Sequence, residues 1–121
     1  MTVVLDTNVI LQARAVGHRY WPIFGALLAG RYAIAVSTEI AFEYEEVFTV
    51  HVGTQRWQSF SEALDVSFQR HGNVHHIEPS FHFHLIPADP DDNKFADCAI
   101  AANADYLVTD DAHFDAMKTA G

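Results

Sequence analysis

The chain has 121 residues, half of them hydrophobic, which is enough for one domain with a buried core and too few for two. Sixteen acidic residues face seven basic ones, so a formal net charge of −9 excludes bulk electrostatic attraction as a source of affinity for nucleic acid. The longest mostly apolar stretch, residues 23–29, is too short to cross a membrane, the N-terminus does not resemble a signal peptide, and Cys98 is the only cysteine. We therefore expect a cytoplasmic protein without disulfides.

Strand and helix signals alternate in the first half of the chain. The apolar run Thr2–Leu5 predicts a strand that is buried on both faces. The pattern then predicts, in order, a helix over Asn8–Arg14, a helix over Tyr20–Ala29 that ends at Gly30, a strand over Tyr32–Val36, and a helix that is capped by Ser37 or Thr38 and runs to about Phe48.

The second half continues the alternation. The spacing predicts a helix over Gln55–Arg70, a histidine-rich extended stretch over Val74–Ile86, a turn at residues 88–92 that opens a helix to about Asn103, a strand over Tyr106–Val108 and a short helix over Ala112–Lys118. Such alternation favours an α/β fold with a central parallel sheet and helices on both faces.

Polar residues directly follow two of the predicted strands. Asp6 follows the first strand, and Thr109, Asp110 and Asp111 follow the last one. In open parallel sheets, sites form beyond the carboxyl ends of the strands, where the strand order reverses. Two acidic groups about a hundred residues apart in sequence should therefore meet at one edge of the sheet.

Two helices offer further acids. In the helix that starts near Thr38, Glu43 and Glu45 flank the apolar stripe on opposite sides, so either could face the same edge, whereas Glu39 and Glu46 point away. In the helix that follows the 88–92 turn, the stripe of Phe95, Ala96, Ala99 and Ala102 places Asp92 on the inward face and Asp97 on the other. This second helix is apolar almost all round, so its pattern does little to distinguish the inward face from the outward face.

Four carboxylates in one pocket would repel one another and raise each other's pKa values. A divalent cation that prefers oxygen ligands removes this conflict, and Mg²⁺ or Mn²⁺ suits carboxylates and water. Part of the acidic excess of the chain would then form a metal site.

Four stretches resemble a known family. They are VLDTNVIL at 4–11, VSTEIAFEYEEV at 36–47, DPDDNKFADCAIAANADYLVTDD at 89–111 and AHF at 112–114. Together they make the sequence similar to the PIN-domain ribonucleases, in particular to the toxin components of bacterial toxin–antitoxin systems. Members normally continue into a final edge strand, so the resemblance predicts one PIN-like domain over residues 1–121 that lacks this strand.

The resemblance also implies a site. It carries the metal-binding and catalytic acids onto Asp6, Glu43, Asp92 and Asp111, with Asp97 as a further metal ligand. It assigns supporting roles to Asn8, which would hydrogen-bond Asp6, and to Thr109, which would hold Asp111 or a bound water. Asp110 stands where members usually carry asparagine or glycine, and it would support the site by adding one acid. It implies a three-layer α/β/α Rossmann-like sandwich, cleavage of single-stranded RNA with Mg²⁺ or Mn²⁺, a homodimer, and a small antitoxin protein as partner.

Residues outside the acidic positions also have possible roles in binding or packing. Arg14, Arg19 and Lys94 are candidates for contacts with RNA phosphates, while Trp57, Phe60 and Phe68 are expected in the core or in a dimer interface. His82 and His84 would share one face of a strand and could bind a metal, although a pair lacks the usual number of ligands.

Two other function classes compete with the nuclease. A catalytically idle domain that binds RNA or a protein is the main alternative. A phosphatase or phosphoryl-transfer enzyme of the haloacid dehalogenase or receiver type is disfavoured. Asn8 stands where dehalogenase chemistry needs a second aspartate, and no lysine lies in the stretch 108–111 to pair with a phosphorylated aspartate.

Overall fold

The strands and helices follow the predicted order. The computed structural model describes residues 1–13, 17–18, 20–79 and 93–109. Its elements are β1 (Thr2–Leu5), α1 (Thr7–Ala13), α2 (Trp21–Leu28), β2 (Ala33–Val36), α3 (Thr38–Val52), α4 (Thr54–His71), β3 (Val74–His76), α5 (Asn93–Ala101) and β4 (Tyr106–Val108). The predicted helix over residues 112–118 and the histidines at 82 and 84 lie outside the described residues.

The four strands form one parallel sheet in the order β3-β2-β1-β4. Val3 of β1 is aligned with Ile34 of β2 on one side and with Tyr106 of β4 on the other. Residues Val3, Val4 and Leu5 are all buried, as expected for a central strand that is covered on both faces. The α/β/α sandwich predicted from the sequence is therefore confirmed.

Local signals explain where α3 begins and ends. Ser37 is the N-cap, because its side chain accepts a hydrogen bond of 3.2 Å from the backbone N–H of Ile40. The helix continues four residues beyond the predicted end at Phe48, since no residue before Gly53 interrupts it. At Gly53 the positive φ of 96° ends the helix, a conformation that glycine adopts without steric cost.

An aromatic cluster joins α2, α3 and α4. Phe48 stacks on Phe60 with ring centroids 4.6 Å apart, Phe60 stacks on Phe24 at 5.3 Å, and Trp57 packs beside them. The core assignment of Phe60 is thus confirmed, whereas Phe68 is 55% exposed and does not belong to the core. In the described part of the chain, no helix combines the length and the apolar composition needed to span a bilayer.

Candidate active site

Asp6 lies where the strand order reverses, between β1 and β4. It is the first residue after β1 and is only 4% exposed. Its backbone N–H donates to the carbonyl of Val108 at 3.0 Å, and the Thr109 hydroxyl donates to Asp6 Oδ2 at 2.9 Å. The predicted meeting of the ends of β1 and β4 at one edge is therefore confirmed.

Tyr44 fixes α3 against this edge. Its buried hydroxyl donates to the carbonyl of Leu5, the last residue of β1, at 2.5 Å. Glu43, the preceding residue, is thereby brought beside the start of α1, where the Thr7 hydroxyl donates to its Oε2 atom. Glu45 is exposed, so the structure selects Glu43 as the acid of α3 that faces the edge.

Lys94 in the first turn of α5 also reaches this edge. Its ammonium lies 2.8 Å from Glu43 Oε1, in an ion pair whose lysine and glutamate side chains are 16% and 26% exposed. The sequence predicts Lys94 as a contact for RNA phosphates, and in this structure it contacts the carboxylate of Glu43.

Asp97 corrects the prediction made for α5. The apolar stripe placed Asp97 on the outward side, yet it is 2% exposed and lines a polar pocket with Lys94, Ser37 and Glu78. The physical reason is that α5 packs against three strands and α3, so that Asn93 and every residue from Phe95 to Ala99 are buried. A helix that is surrounded in this way has no single apolar stripe from which to infer its orientation.

The buried polar groups near the acids stay neutral. Burial raises the pKa of the Tyr44 hydroxyl well above its usual value, and the negative charges of Asp6 and Glu43 act in the same direction. Burial followed by the charge of Glu78 raises the pKa of Cys98 to about 11, although a hydrogen bond with the Ser37 backbone acts in the opposite sense. Tyr44 therefore remains a hydroxyl donor and Cys98 an unreactive thiol at neutral pH.

Three of the predicted metal ligands, Asp6, Glu43 and Asp97, lie among the described residues. Within residues 1–79 and 93–109, as far as these are described, no three His, Cys, Asp or Glu side chains are grouped closely enough to hold an ion. The remaining predicted acids, Asp92, Asp110 and Asp111, lie outside the described residues. Asp6 and Glu43 are both carboxylates oriented by hydroxyl donors, and such oxygen ligands fit Mg²⁺ or Mn²⁺.

The supporting residues differ in part from the prediction. Among the described contacts, Thr109 rather than Asn8 donates to Asp6, and Asn8 is exposed on α1. The sequence did not predict a role for Thr7, whose hydroxyl donates to Glu43. Its position directly after Asp6 is the feature of the sequence that could have indicated this role. The predicted RNA contacts Arg14 and Arg19 lie outside the described residues.

Comparison with known proteins supports the fold and identifies the family. The chain resembles the crystal structure of VapBC2 from Rickettsia felis bound to a DNA fragment from their promoter, with a TM-score of 0.63 and 21% identity over 98% of this chain and 92% of the other. No curated protein matches the sequence. A family model described as PIN domain matches residues 2–113, which is most of the chain. The chain therefore belongs to the PIN domain family.

Proposed function

We propose that this chain is a metal-dependent endoribonuclease that hydrolyses phosphodiester bonds of single-stranded RNA. The observation that carries the proposal is the pair of carboxylates at the reversal of strand order, with Asp6 held by Thr109 and Glu43 held by Thr7. Proteins of the PIN family are generally nucleases, and the acids at this edge match the chemistry that such an activity requires.

The proposed metal is Mg²⁺ or Mn²⁺. Its ligands would come from Asp6, Glu43, Asp92, Asp97 and Asp111, and Asp110 would add negative charge. When bound, such an ion activates water and neutralises charge on the phosphodiester. The residues of the chain prepare the site: the Thr109 and Thr7 hydroxyls each orient one carboxylate, and Tyr44 holds α3 against β1. No side chain of the protein needs to act as the nucleophile.

We further propose that the chain is the toxin of a toxin–antitoxin pair. The support is its fold, which is similar to that of VapBC2, a protein crystallised with promoter DNA. A small antitoxin could block the acidic edge by placing an arginine among the carboxylates, since guanidinium and carboxylate groups form strong paired hydrogen bonds. A homodimer and a cytoplasmic location belong to the same proposal.

A catalytically idle domain that binds RNA or a protein is the second candidate. One observation favours it: Lys94 already neutralises Glu43 within the chain, so the described acids are partly balanced without a metal. The two candidates differ in whether the acids at this edge are needed for cleavage.

Two glutamates of α3 provide a matched test. Glu43 faces the edge and Glu45 is exposed to solvent two residues later. Cleavage of a long unstructured RNA is measured with Mg²⁺, Mn²⁺ or EDTA for Glu43→Gln and Glu45→Gln. We expect metal-dependent cleavage that falls by about 10²-fold or more in Glu43→Gln and stays unchanged in Glu45→Gln.

The same assay separates the two candidates. Cleavage that survives in Glu43→Gln would contradict the assignment of the site. A folded wild-type chain that binds RNA and cuts none with any metal would instead support the idle binding domain.

A further inference from the structure

The proposed reaction assigns no role to Lys94. It lies in the first turn of α5, and its ammonium is 2.8 Å from Glu43 Oε1. Its side chain is 16% exposed, so this pair is far less solvated than an ordinary surface ion pair. A lysine that is merely a surface contact for RNA would be expected to extend into solvent.

The surroundings of Lys94 are strongly acidic. The polar pocket that it lines also includes Glu39, Glu78 and Asp97, and Lys94 is the only base among its described lining residues. Lys94 therefore contacts one proposed ligand, Glu43, and shares the lining of a pocket with a second, Asp97. An ammonium group among carboxylates offsets part of their mutual repulsion, and it does so more strongly where water is largely excluded.

Both oxygens of Glu43 are already engaged. Oε2 accepts the hydroxyl of Thr7, and Oε1 contacts the ammonium of Lys94. A divalent cation that uses Glu43 would carry the same sign of charge as Lys94 and would compete with it for Oε1. Thr7 would not oppose such an ion, since a hydroxyl can donate to a carboxylate that also binds a metal.

We propose that Lys94 is the internal counter-ion of Glu43, an inference that rests on the proposed function. In the absence of metal, Lys94 offsets the negative charge of Glu43 through the 2.8 Å ion pair. When a divalent cation binds, Lys94 leaves Glu43 and becomes available to a phosphate of the RNA at the same edge. The lysine thus lowers the affinity for metal in the free protein and contributes to substrate binding after metal has bound.

The test measures metal binding without RNA. Mn²⁺ affinity is determined by calorimetry, and thermal unfolding is followed with EDTA and with Mn²⁺, for wild type, Lys94→Met and Lys94→Arg. We expect Lys94→Met to bind Mn²⁺ about tenfold more tightly, to unfold at a lower temperature in EDTA, and to gain more from Mn²⁺ than wild type gains. Lys94→Arg should stay close to wild type because it retains the charge.

Two further variants exclude trivial explanations. Arg56→Met removes the same charge from an exposed position on α4 and should change neither measurement. In a Glu43→Gln background, the effect of Lys94→Met on Mn²⁺ affinity should shrink to about twofold or less, because the ion pair between Lys94 and Glu43 is no longer there to be lost.

The inference is overturned if Lys94→Met binds Mn²⁺ no more tightly than wild type, if Arg56→Met produces the same change, or if the effect persists with Glu43→Gln. A wild-type chain that binds no Mn²⁺ also overturns it. Its failure is distinguishable from failure of the proposed function, because wild type could cleave RNA while Lys94→Met shows no change in affinity. Conversely, the affinity could shift as expected in a chain that cuts no RNA.

Discussion

Two successive parts of α3 face different surroundings. Around Phe48 the helix joins an aromatic cluster, where the ring of Phe48 stacks on Phe60 at 4.6 Å. About one and a half turns earlier, Glu43 contacts Thr7 and Lys94, and these three residues form a polar edge. The aromatic cluster buries apolar surface and stabilises the fold, whereas the polar edge removes charged side chains largely from water, which costs stability. A protein that keeps such an edge next to a well-packed core has a use for it beyond folding.

The aromatic cluster should dominate stability. Replacing Phe60 by alanine leaves a cavity among Phe24, Phe48 and Trp57, so we expect the free energy of unfolding to fall by about 3–5 kcal/mol. Urea unfolding measures this loss. The RNA cleavage rate per folded molecule should be retained, and a selective loss of cleavage in well-folded Phe60→Ala would show that the two parts of α3 are not separable.

The polar edge should determine activity. Substitution of Thr7, which orients Glu43, tests this expectation. Thr7→Val keeps the shape of the side chain and removes the hydroxyl that donates to Glu43. We expect cleavage or Mn²⁺ affinity to fall by roughly 10-fold to 100-fold, the usual effect of losing a group that orients a metal ligand. Kinetics at several Mn²⁺ concentrations would check this, and unaltered kinetics would remove Thr7 from the site.

The smallest effect is expected where α3 begins. The side chain and backbone N–H of Thr38 donate to Glu78, and His76 lies 2.6 Å from the same carboxylate, so the pKa of Glu78 is lowered from 4.5. A carboxyl whose pKa is lower in the folded state stabilises the fold above its unfolded pKa. This stabilisation should therefore be present above about pH 4.5 and be lost as the pH falls through the lower folded value.

Urea unfolding between pH 6 and pH 3 measures this effect by comparing wild type with Glu78→Gln. The stability difference between the two should be small, because the group is exposed, and should vanish at the acidic end. A difference that is independent of pH would show that Glu78 acts only through its shape.

The sequence was sufficient to predict which two strand ends form the site. A fully apolar strand followed by Asp6 and a second strand followed by Thr109 place both residues at one edge in any parallel sheet of this kind. Asp97 was placed wrongly because α5 is enclosed on several sides and lacks a polar face. The contact between Lys94 and Glu43 could not be predicted, since it depends on how α5 and α3 are positioned across 51 residues of chain.

RNA cleavage by wild type and Asp6→Asn, each with Mn²⁺ and with EDTA, tests the central claim most directly when unfolding is measured on the same samples. Asp6 is buried at the reversal of strand order and hydrogen-bonded by Thr109, and asparagine keeps its shape while removing its charge. We predict that Asp6→Asn loses about 10²-fold or more of the Mn²⁺-dependent cleavage and is at least as stable as wild type in EDTA, since one repelling charge is gone. Full cleavage by a stable Asp6→Asn would contradict the account.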